Sequence, residues 1–186
     1  MQIGPDSSHL AALPCVRTFT EIRAWSTTAA NLERFVAEAP APVRAARTAE
    51  KAVHGADVVV LATNAVTPAI QDRWVSPGTH VIAIGACRLS QQEIDPALVA
   101  RANLVVDSKA AALVESGDIV LPIREGRFTK DHVRAELGEI VSGLKTRPLQ
   151  RERNHALQIA GAGHRRPGGR RPGLPPRAGC AATARN

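Results

Sequence analysis

Short apolar runs alternate with amphipathic segments along the chain, and residues 79–108 show this pattern most clearly. An apolar, β-branched run from Val81 to Ile84 ends in Gly85-Ala86, and a second run from Leu104 to Val106 ends in Asp107-Ser108. A polar loop and a short helical segment separate the two runs. This order predicts strand, crossover helix and strand, the unit of a parallel sheet buried on both faces. The small residues after the first strand leave room for a ligand at the carboxyl ends of the strands.

The same alternation extends over residues 1–145. Apolar runs predict strands at residues 21–26, 43–46, 56–63, 81–85 and 104–108. Periodic apolar positions and capping residues predict helices near residues 28–39, 48–54, 96–102, 109–116 and 134–144. Ser90 and Glu93 have the spacing of a capping box before the third of these helices. Strands that alternate with helices predict a doubly wound α/β domain.

The last 41 residues break this pattern. Residues 146–186 contain nine Arg, five Pro and six Gly, no Lys and a single acidic residue, Glu152. Such a composition cannot bury enough apolar surface to offset the entropy of ordering, so we predict a disordered tail over 146–186 after a folded domain over 1–145. The tail holds the positive charge, since the net charge of the whole chain is +7 and residues 1–145 are nearly neutral.

Cysteine and histidine spacing gives no sign of a metal site. Cys15, Cys87 and Cys180 are far apart, and no CxxC pair or His/Cys cluster occurs. The N-terminus lacks the pattern of a signal peptide, and no apolar run reaches the length of a membrane span. We therefore expect a reduced, cytoplasmic, metal-free protein that does not associate with a membrane.

Several segments, in order and at the right spacing, resemble the ornithine cyclodeaminase/mu-crystallin family. They are GADVVVLATNAVTPAI, WVSPGTHVIAIGA, EIDPALVARANLVVDS, ESGDI and AELGEI, and the similarity covers about residues 8–145. The resemblance implies a Rossmann domain that binds NAD or NADP, with a phosphate preference that the sequence leaves undecided. It also implies a small amino or imino acid substrate and a second half through which the family forms homodimers.

The departures from the family pattern concern both ends of the chain. Family members begin this domain with a central strand and a GxGxQA turn, whereas here the segment Met1–Asp6 aligns with that motif without matching it. We therefore expect an incomplete sheet that lacks its first strand, and a chain that lacks the substrate-binding half. After Lys145 the sequence leaves the family pattern, which indicates either a frameshift or a natural divergent tail.

The cofactor-binding residues that the resemblance implies lie after three of the predicted strands. They are Ser26, Thr27, Thr28, Ala62, Thr63, Gly85 and Ala86. The first three would meet the adenosine ribose, where a carboxylate favours NAD and an Arg favours NADP. Neither is present there, although Arg23 and Arg34 lie within a turn or two, and a plain helix N-cap is an equal alternative.

Cys87 occupies the position at which the cyclodeaminases carry an acid/base Asp. A thiol offers no carboxylate at neutral pH, which argues against ornithine cyclodeamination and leaves the catalytic residues unknown. A small buried thiol that fills a gap is favoured over a catalytic cysteine.

These observations predict a fragment of an NAD(P)-dependent amino or imino acid oxidoreductase, similar to the ketimine reductases and impaired in activity. The first alternative is a Rossmann-like binding module without catalysis. The second, less favoured, is a nucleic-acid-binding protein that uses the basic tail. Its weakness is that the tail holds no Phe, Trp or Tyr on which bases could stack.

The tail composition predicts polyanion binding without sequence preference. Closely spaced arginines contact phosphates and release counterions from the nucleic acid. Such binding weakens as the salt concentration rises, because counterion release then gains less entropy. Mobility shifts of two unrelated DNA duplexes at about 50 and 200 mM salt would measure this. Sequence-selective binding that persists at the higher salt would contradict the prediction.

Overall fold

A computed structural model describes residues 8–145 and 157–159 of the chain. Within these residues helices and strands alternate, as the sequence predicts. The strands are β1 (Arg23–Ala24), β2 (Arg44–Ala45), β3 (Val58–Leu61), β4 (His80–Ala83), β5 (Leu104–Val106), β6 (Val133–Glu136) and β7 (Leu157–Ile159). The helices are α1 (Ser8–Ala12), α2 (Ala29–Glu38), α3 (Ala49–Val53), α4 (Pro96–Arg101), α5 (Lys109–Glu115), α6 (Gly117–Arg124) and α7 (Leu137–Val141).

Five of the strands form one parallel sheet in the order β3-β4-β7-β5-β6. The apolar runs of β3, β4 and β5 are buried on both faces, which is why they show no alternation of polar and apolar residues. The strand β6 does alternate, with Val133 and Ala135 buried and Arg134 exposed. The predicted α/β class and the parallel sheet are confirmed. The core is a single cluster whose most buried large side chains include Leu61, Ile70, Ile94, Leu98 and Leu104.

The other two strands, β1 and β2, form a separate parallel pair. A polar contact joins this pair to the rest of the domain. The Arg23 guanidinium donates hydrogen bonds to the backbone oxygens of Lys51 at 2.8 Å and His54 at 2.9 Å. These oxygens lie at the C-terminal end of α3, where backbone acceptors have no partner within the helix.

A cavity of about 310 Å³ lies between β1 and β3, lined by residues of both strands and of α1. Arg23, Val58 and Val60 line it from the strands, and Leu10 and Leu13 line it from α1 and the turn that follows. Among the described residues no strand lies between β1 and β3. The predicted absence of the first strand therefore corresponds to a cavity between two open strand edges.

Two local predictions need correction. Residues 134–144 are not one helix, because residues up to Glu136 pair with β5 as β6, and α7 begins only at Leu137. The helix α4 is capped by Asp95, whose Oδ1 accepts the Ala97 N–H at 2.9 Å, and the predicted capping box of Ser90 and Glu93 does not form. Pro96 at the first helical position fixes that start, since it donates no N–H.

The strand β7 lies within the segment 146–186 that the sequence predicts to be disordered. It pairs in parallel with β4 on one side and with β5 on the other. Backbone pairing on both sides offsets the entropy of ordering three residues, because the facing edges of β4 and β5 both need partners. Disorder does not hold for these three residues, and the other residues of the predicted tail lie outside the described ones.

In the part of the chain that the structure describes, no helix has the length and apolar character that crossing a membrane requires.

The open edges of β1 and β3 predict a marginally stable domain. A strand amide that is buried at such an edge without a partner costs about 1–3 kcal/mol, a large part of a typical stability of about 5–15 kcal/mol. We expect thermal unfolding, followed by circular dichroism at neutral pH, to be broad or to have a midpoint below about 60 °C. A single sharp transition above that temperature would show that the open edges cost little.

Candidate functional site

The carboxyl ends of β3 and β4 bring two predicted segments together. Ala62-Thr63 follow β3, Gly85-Ala86 follow β4, and the last residues of the two strands, Leu61 and Ala83, pair directly. A side-chain carbon at Gly85 would lie 2.0 Å from the Thr63 carbonyl oxygen, closer than any real contact. Only glycine permits this approach, so the two turns touch because residue 85 has no side chain.

A buried carboxylate joins the same two turns. Glu93 is fully buried, and its Oε1 accepts the Thr63 N–H at 2.5 Å. Its Oε2 accepts the N–H groups of Gly85 at 2.7 Å and Ala86 at 3.1 Å. One side chain therefore satisfies three backbone donors that the ends of β3 and β4 would otherwise leave buried without partners.

A second buried carboxylate holds the backbone of Glu93. Asp118 lies in the first turn of α6, and its Oδ1 accepts the N–H groups of Glu93 at 2.8 Å and Ile94 at 3.0 Å. Its Oδ2 is also buried but has no hydrogen-bond partner among the described residues. The two acids thus form a chain of contacts from α6 through residues 93–94 to the strand ends.

Burial governs the protonation of both acids. It raises the pKa of Asp118 to about 7, with the nearby Glu93 carboxylate adding to the rise and the backbone N–H groups opposing it. Burial also raises the pKa of Glu93, and the hydrogen bonds from Thr63, Gly85 and Ala86 counteract part of that rise. Because both are acids in contact through one loop, protonation of Asp118 near neutral pH relieves repulsion between them.

The loop from Cys87 to Gln92 packs tightly beneath these turns. Gln91 Oε1 accepts the Cys87 N–H at 3.0 Å. A side-chain carbon at Gly117 would lie 2.0 Å from the Gln91 carbonyl oxygen, so the start of α6 approaches the loop as closely as Gly85 approaches Thr63. Two glycines, one on each side, therefore set the position of the loop.

The Cys87 thiol is half-buried at the edge of this loop, and its Sγ lies 3.6 Å from the Ile84 carbonyl oxygen. Burial raises the pKa of the thiol, and the nearby carboxylates of Glu93, Glu115 and Asp107 raise it further. A thiol in this environment stays protonated at neutral pH, so Cys87 supplies neither a carboxylate nor a thiolate.

Ser26, Thr27 and Thr28 lie at the end of β1 and the start of α2, on the separate two-stranded pair. Ser26 Oγ accepts the Thr28 N–H at 3.2 Å, and Thr28 occupies the N-cap position without a side-chain hydrogen bond to the helix. Thr27 and Thr28 are exposed. This segment follows a strand of the two-stranded pair, whereas the turns at Thr63 and Gly85 follow strands of the five-stranded sheet.

The two arginines considered for a 2′-phosphate are engaged elsewhere. Arg23 binds the C-terminal carbonyls of α3, as described above, and forms an ion pair with Glu21. Arg34 donates to Asn31 Oδ1 at 3.3 Å on the surface of α2. Neither contact is directed at the Ser26–Thr28 segment.

Sequence reasoning missed the two buried acids. Glu93 is predicted as part of a capping box, and Asp118 has no assigned role. The available signal is that each acid precedes an apolar residue that is itself fully buried, Ile94 and Ile119. The N-cap of α5 is Ser108, whose Oγ accepts the Ala111 N–H at 3.4 Å. No group of three potential metal ligands occurs among residues 8–145.

The described residues offer surfaces for two parts of a dinucleotide. The start of the ten-residue helix α2 carries no acidic residue in its first turn and no side chain bound to its free amides, which suits ribose hydroxyls or phosphate. The turns at Thr63 and Gly85 present small residues at the strand ends, which suits a flat ring. The segment Met1–Asp6, which aligns with the pyrophosphate motif, lies outside the described residues.

Comparison with known proteins identifies relatives over most of the chain. The model of the ornithine cyclodeaminase/mu-crystallin family matches residues 6–156. Ketimine reductase mu-crystallin from Rattus norvegicus is 41% identical over 128 residues, which are 69% of this chain and 39% of the relative. A delta(1)-pyrroline-2-carboxylate reductase from Bacillus cereus is 44% identical over 98 residues, or 52% of this chain and 30% of the relative.

Solved structures show the same fold. Delta(1)-pyrroline-2-carboxylate reductase from Thermococcus litoralis, in complex with NADH and L-proline, is 30% identical with a TM-score of 0.79. The match covers 83% of this chain and 49% of the reductase. Iminosuccinate reductase of Paracoccus denitrificans, in complex with NAD+, is 28% identical with a TM-score of 0.72. This match covers 84% of this chain and 48% of the reductase. An archaeal alanine dehydrogenase dimer with bound NAD has a TM-score of 0.75 at 28% identity. The chain spans about half the length of these structures.

The raised pKa of Asp118 predicts how stability depends on pH. The folded chain holds the proton up to about pH 7, whereas the unfolded chain releases it near 3.8. The folded state therefore binds more protons between these values, and the free energy of unfolding falls as pH rises through that window.

Asp118→Asn should remove this slope, because the amide keeps an oxygen to accept the Glu93 and Ile94 N–H groups and carries no charge. We expect urea unfolding to show the variant more stable than the natural chain at pH 8 by about 1–3 kcal/mol, and the difference to vanish near pH 4. A variant that is less stable than the natural chain at pH 8 would show that the charged form is the favoured one.

Proposed function

Since the chain belongs to the ornithine cyclodeaminase/mu-crystallin family, we propose that it is the dinucleotide-binding part of an NAD(H)-dependent oxidoreductase acting on small cyclic imino acids, with impaired activity. The observation that carries the proposal is the juxtaposition of the turns at Thr63 and Gly85, fixed by Glu93 at the carboxyl edge of a parallel sheet. That edge is where open α/β sheets bind dinucleotides. The likeness to ketimine and pyrroline-carboxylate reductases supports the substrate class.

Each group of residues has a role in this proposal. Ala62, Thr63, Gly85 and Ala86 form the surface for the nicotinamide part, and Ser26–Thr28 at the start of α2 meet the adenosine ribose. When bound, the cofactor would supply a hydride to the carbon of a protonated imine, and these residues would hold the cofactor in position. Cys87 remains a neutral, space-filling thiol, so no acid or base acts from that position.

The cofactor preference, assembly and location are also part of the proposal. We favour NAD(H) over NADP(H) because the similar solved structures are complexes with NADH and NAD+. The alanine dehydrogenase with which the fold agrees is a dimer, and we propose that pairing requires the half of that protein that this chain does not match. The free thiols of Cys15 and Cys87 support a reducing compartment, for which we propose the cytoplasm.

A second candidate is a binding module without catalysis. The neutral Cys87 thiol and the separation of β1 from the main sheet favour it, because both remove features that turnover would need. The two candidates share cofactor binding and differ only in whether an imino acid is reduced.

Gly85→Ala tests the cofactor surface, because a carbon at residue 85 would lie 2.0 Å from Thr63 O and would force the two turns apart. We expect the natural chain to show saturable amide shifts with NADH in NMR spectra, and the variant to lose them. Gly138→Ala is the matched control, since nothing lies within 4 Å of a carbon added there. Equal NADH response in both variants would count against the assigned surface.

Turnover separates the enzyme from the binding module. We expect no proline from ornithine, because residue 87 offers no carboxylate, and slow or absent NADH oxidation with delta(1)-pyrroline-2-carboxylate. The assay is absorbance of NADH at saturating substrate, with proline quantified by mass spectrometry. Proline formation from ornithine would overturn the proposal, and NADH binding without any oxidation would favour the second candidate.

A further inference from the structure

Glu93 connects the proposed cofactor surface at the strand ends to α6, which binds its backbone, and to α4, which begins three residues later. Its two oxygens bind the backbone of Thr63 on one side and of Gly85 and Ala86 on the other. These are the residues that line the proposed nicotinamide surface. A change at Glu93 would alter that surface without touching the cofactor itself.

The backbone of Glu93 is held as firmly as its side chain. Asp118 accepts its N–H at 2.8 Å, and its own carbonyl oxygen accepts the N–H groups of Ala69 at 2.9 Å and Ile70 at 3.2 Å. Ile94, next in the chain, is fully buried. A carboxylate fixed at both its backbone and its oxygens sets a distance between the groups it binds, because neither end can move to relieve the other.

The chemistry of the three donors requires a carboxylate. Three partners of Glu93 are backbone N–H groups, and the Thr63 side chain is a fourth partner. The Glu93 side chain therefore accepts at both oxygens. An amide at residue 93 would place its own N–H2 against at least one of the backbone donors. The ionised carboxylate accepts all three backbone bonds without an opposing proton.

We propose that Glu93 is a positioning residue that sets the spacing of the Thr63 and Gly85–Ala86 turns and thereby determines NAD(H) affinity. It does not contact the cofactor, and the link to NAD(H) rests on the proposed function. The alternative is that Glu93 contributes to folding alone, so the decisive measurements must separate the shape of the turns from stability.

The first measurement uses the natural chain and its backbone amide signals. The amides of Thr63, Gly85 and Ala86 should titrate with one common midpoint, above the ordinary range of a glutamate at about 4.3, as Glu93 takes up a proton. The ionisable groups that face Glu93 are the Asp118 carboxyl, whose pKa burial raises to about 7, and the Cys87 thiol, whose pKa burial also raises. Three unrelated midpoints would overturn the positioning role.

The second measurement compares variants by NADH titration. Glu93→Gln should weaken NADH binding by about tenfold or more and shift the amides of Thr63, Gly85 and Ala86 in the free protein. Glu33→Gln, at an exposed residue of α2, is the control for the substitution itself.

The outcomes are distinct. Loss of affinity in Glu93→Gln at a temperature where circular dichroism shows it folded supports the proposal, and unchanged affinity overturns it. If Glu93→Gln does not fold, the titration of the natural chain decides. A natural chain without any NADH response refutes the proposed function and with it the link to affinity, whereas a common midpoint would still assign the spacing of the turns to Glu93.

Discussion

The domain depends on two carboxylates buried side by side at the carboxyl edge of its parallel sheet. Removing such groups from water is costly, and the cost is met by five backbone N–H groups, three on Glu93 and two on Asp118. In return the strand ends, the loop after β4 and the start of α6 share one hydrogen-bonded network. Because each acid is fixed by backbone groups, the network tolerates little displacement of any element that contributes to it.

Two glycines make this network possible. Because Gly85 has no side chain, its backbone can lie against the Thr63 turn after β3. Because Gly117 has none, the start of α6 can lie against the loop at Gln91. Any other residue would forbid these distances. The acids alone could not bring these segments together, since their short contacts require the backbones to lie almost in van der Waals contact. Shape and charge are therefore coupled at this site: the glycines allow the approach, and the carboxylates satisfy the donors it buries.

The other half of the candidate surface rests on weaker interactions. The pair β1–β2 does not join the main sheet, and the Arg23 guanidinium connects it to α3 through two hydrogen bonds. None of the residues of α2 is fully buried, although Leu32, Phe35 and Val36 share one face. Such exposure of an apolar face is expected for a helix whose packing partner is incomplete. The two parts of a dinucleotide would thus meet a rigid turn at one end and a loosely attached helix at the other.

The order of strands and helices could be predicted from the sequence because it follows from local signals. The apolar runs at β3, β4 and β5, the Thr48 cap of α3 and the family motifs that end in Gly85-Ala86 all lie within short segments. The positions of Ala62-Thr63 and Gly85-Ala86 at one edge also follow from parallel pairing alone. The roles of Glu93 and Asp118 could not be predicted, since their partners lie 7 to 30 residues away in the sequence. The same holds for β7 and for the cavity between β1 and β3, because pairing between distant strands is decided by which edges the folded sheet leaves open.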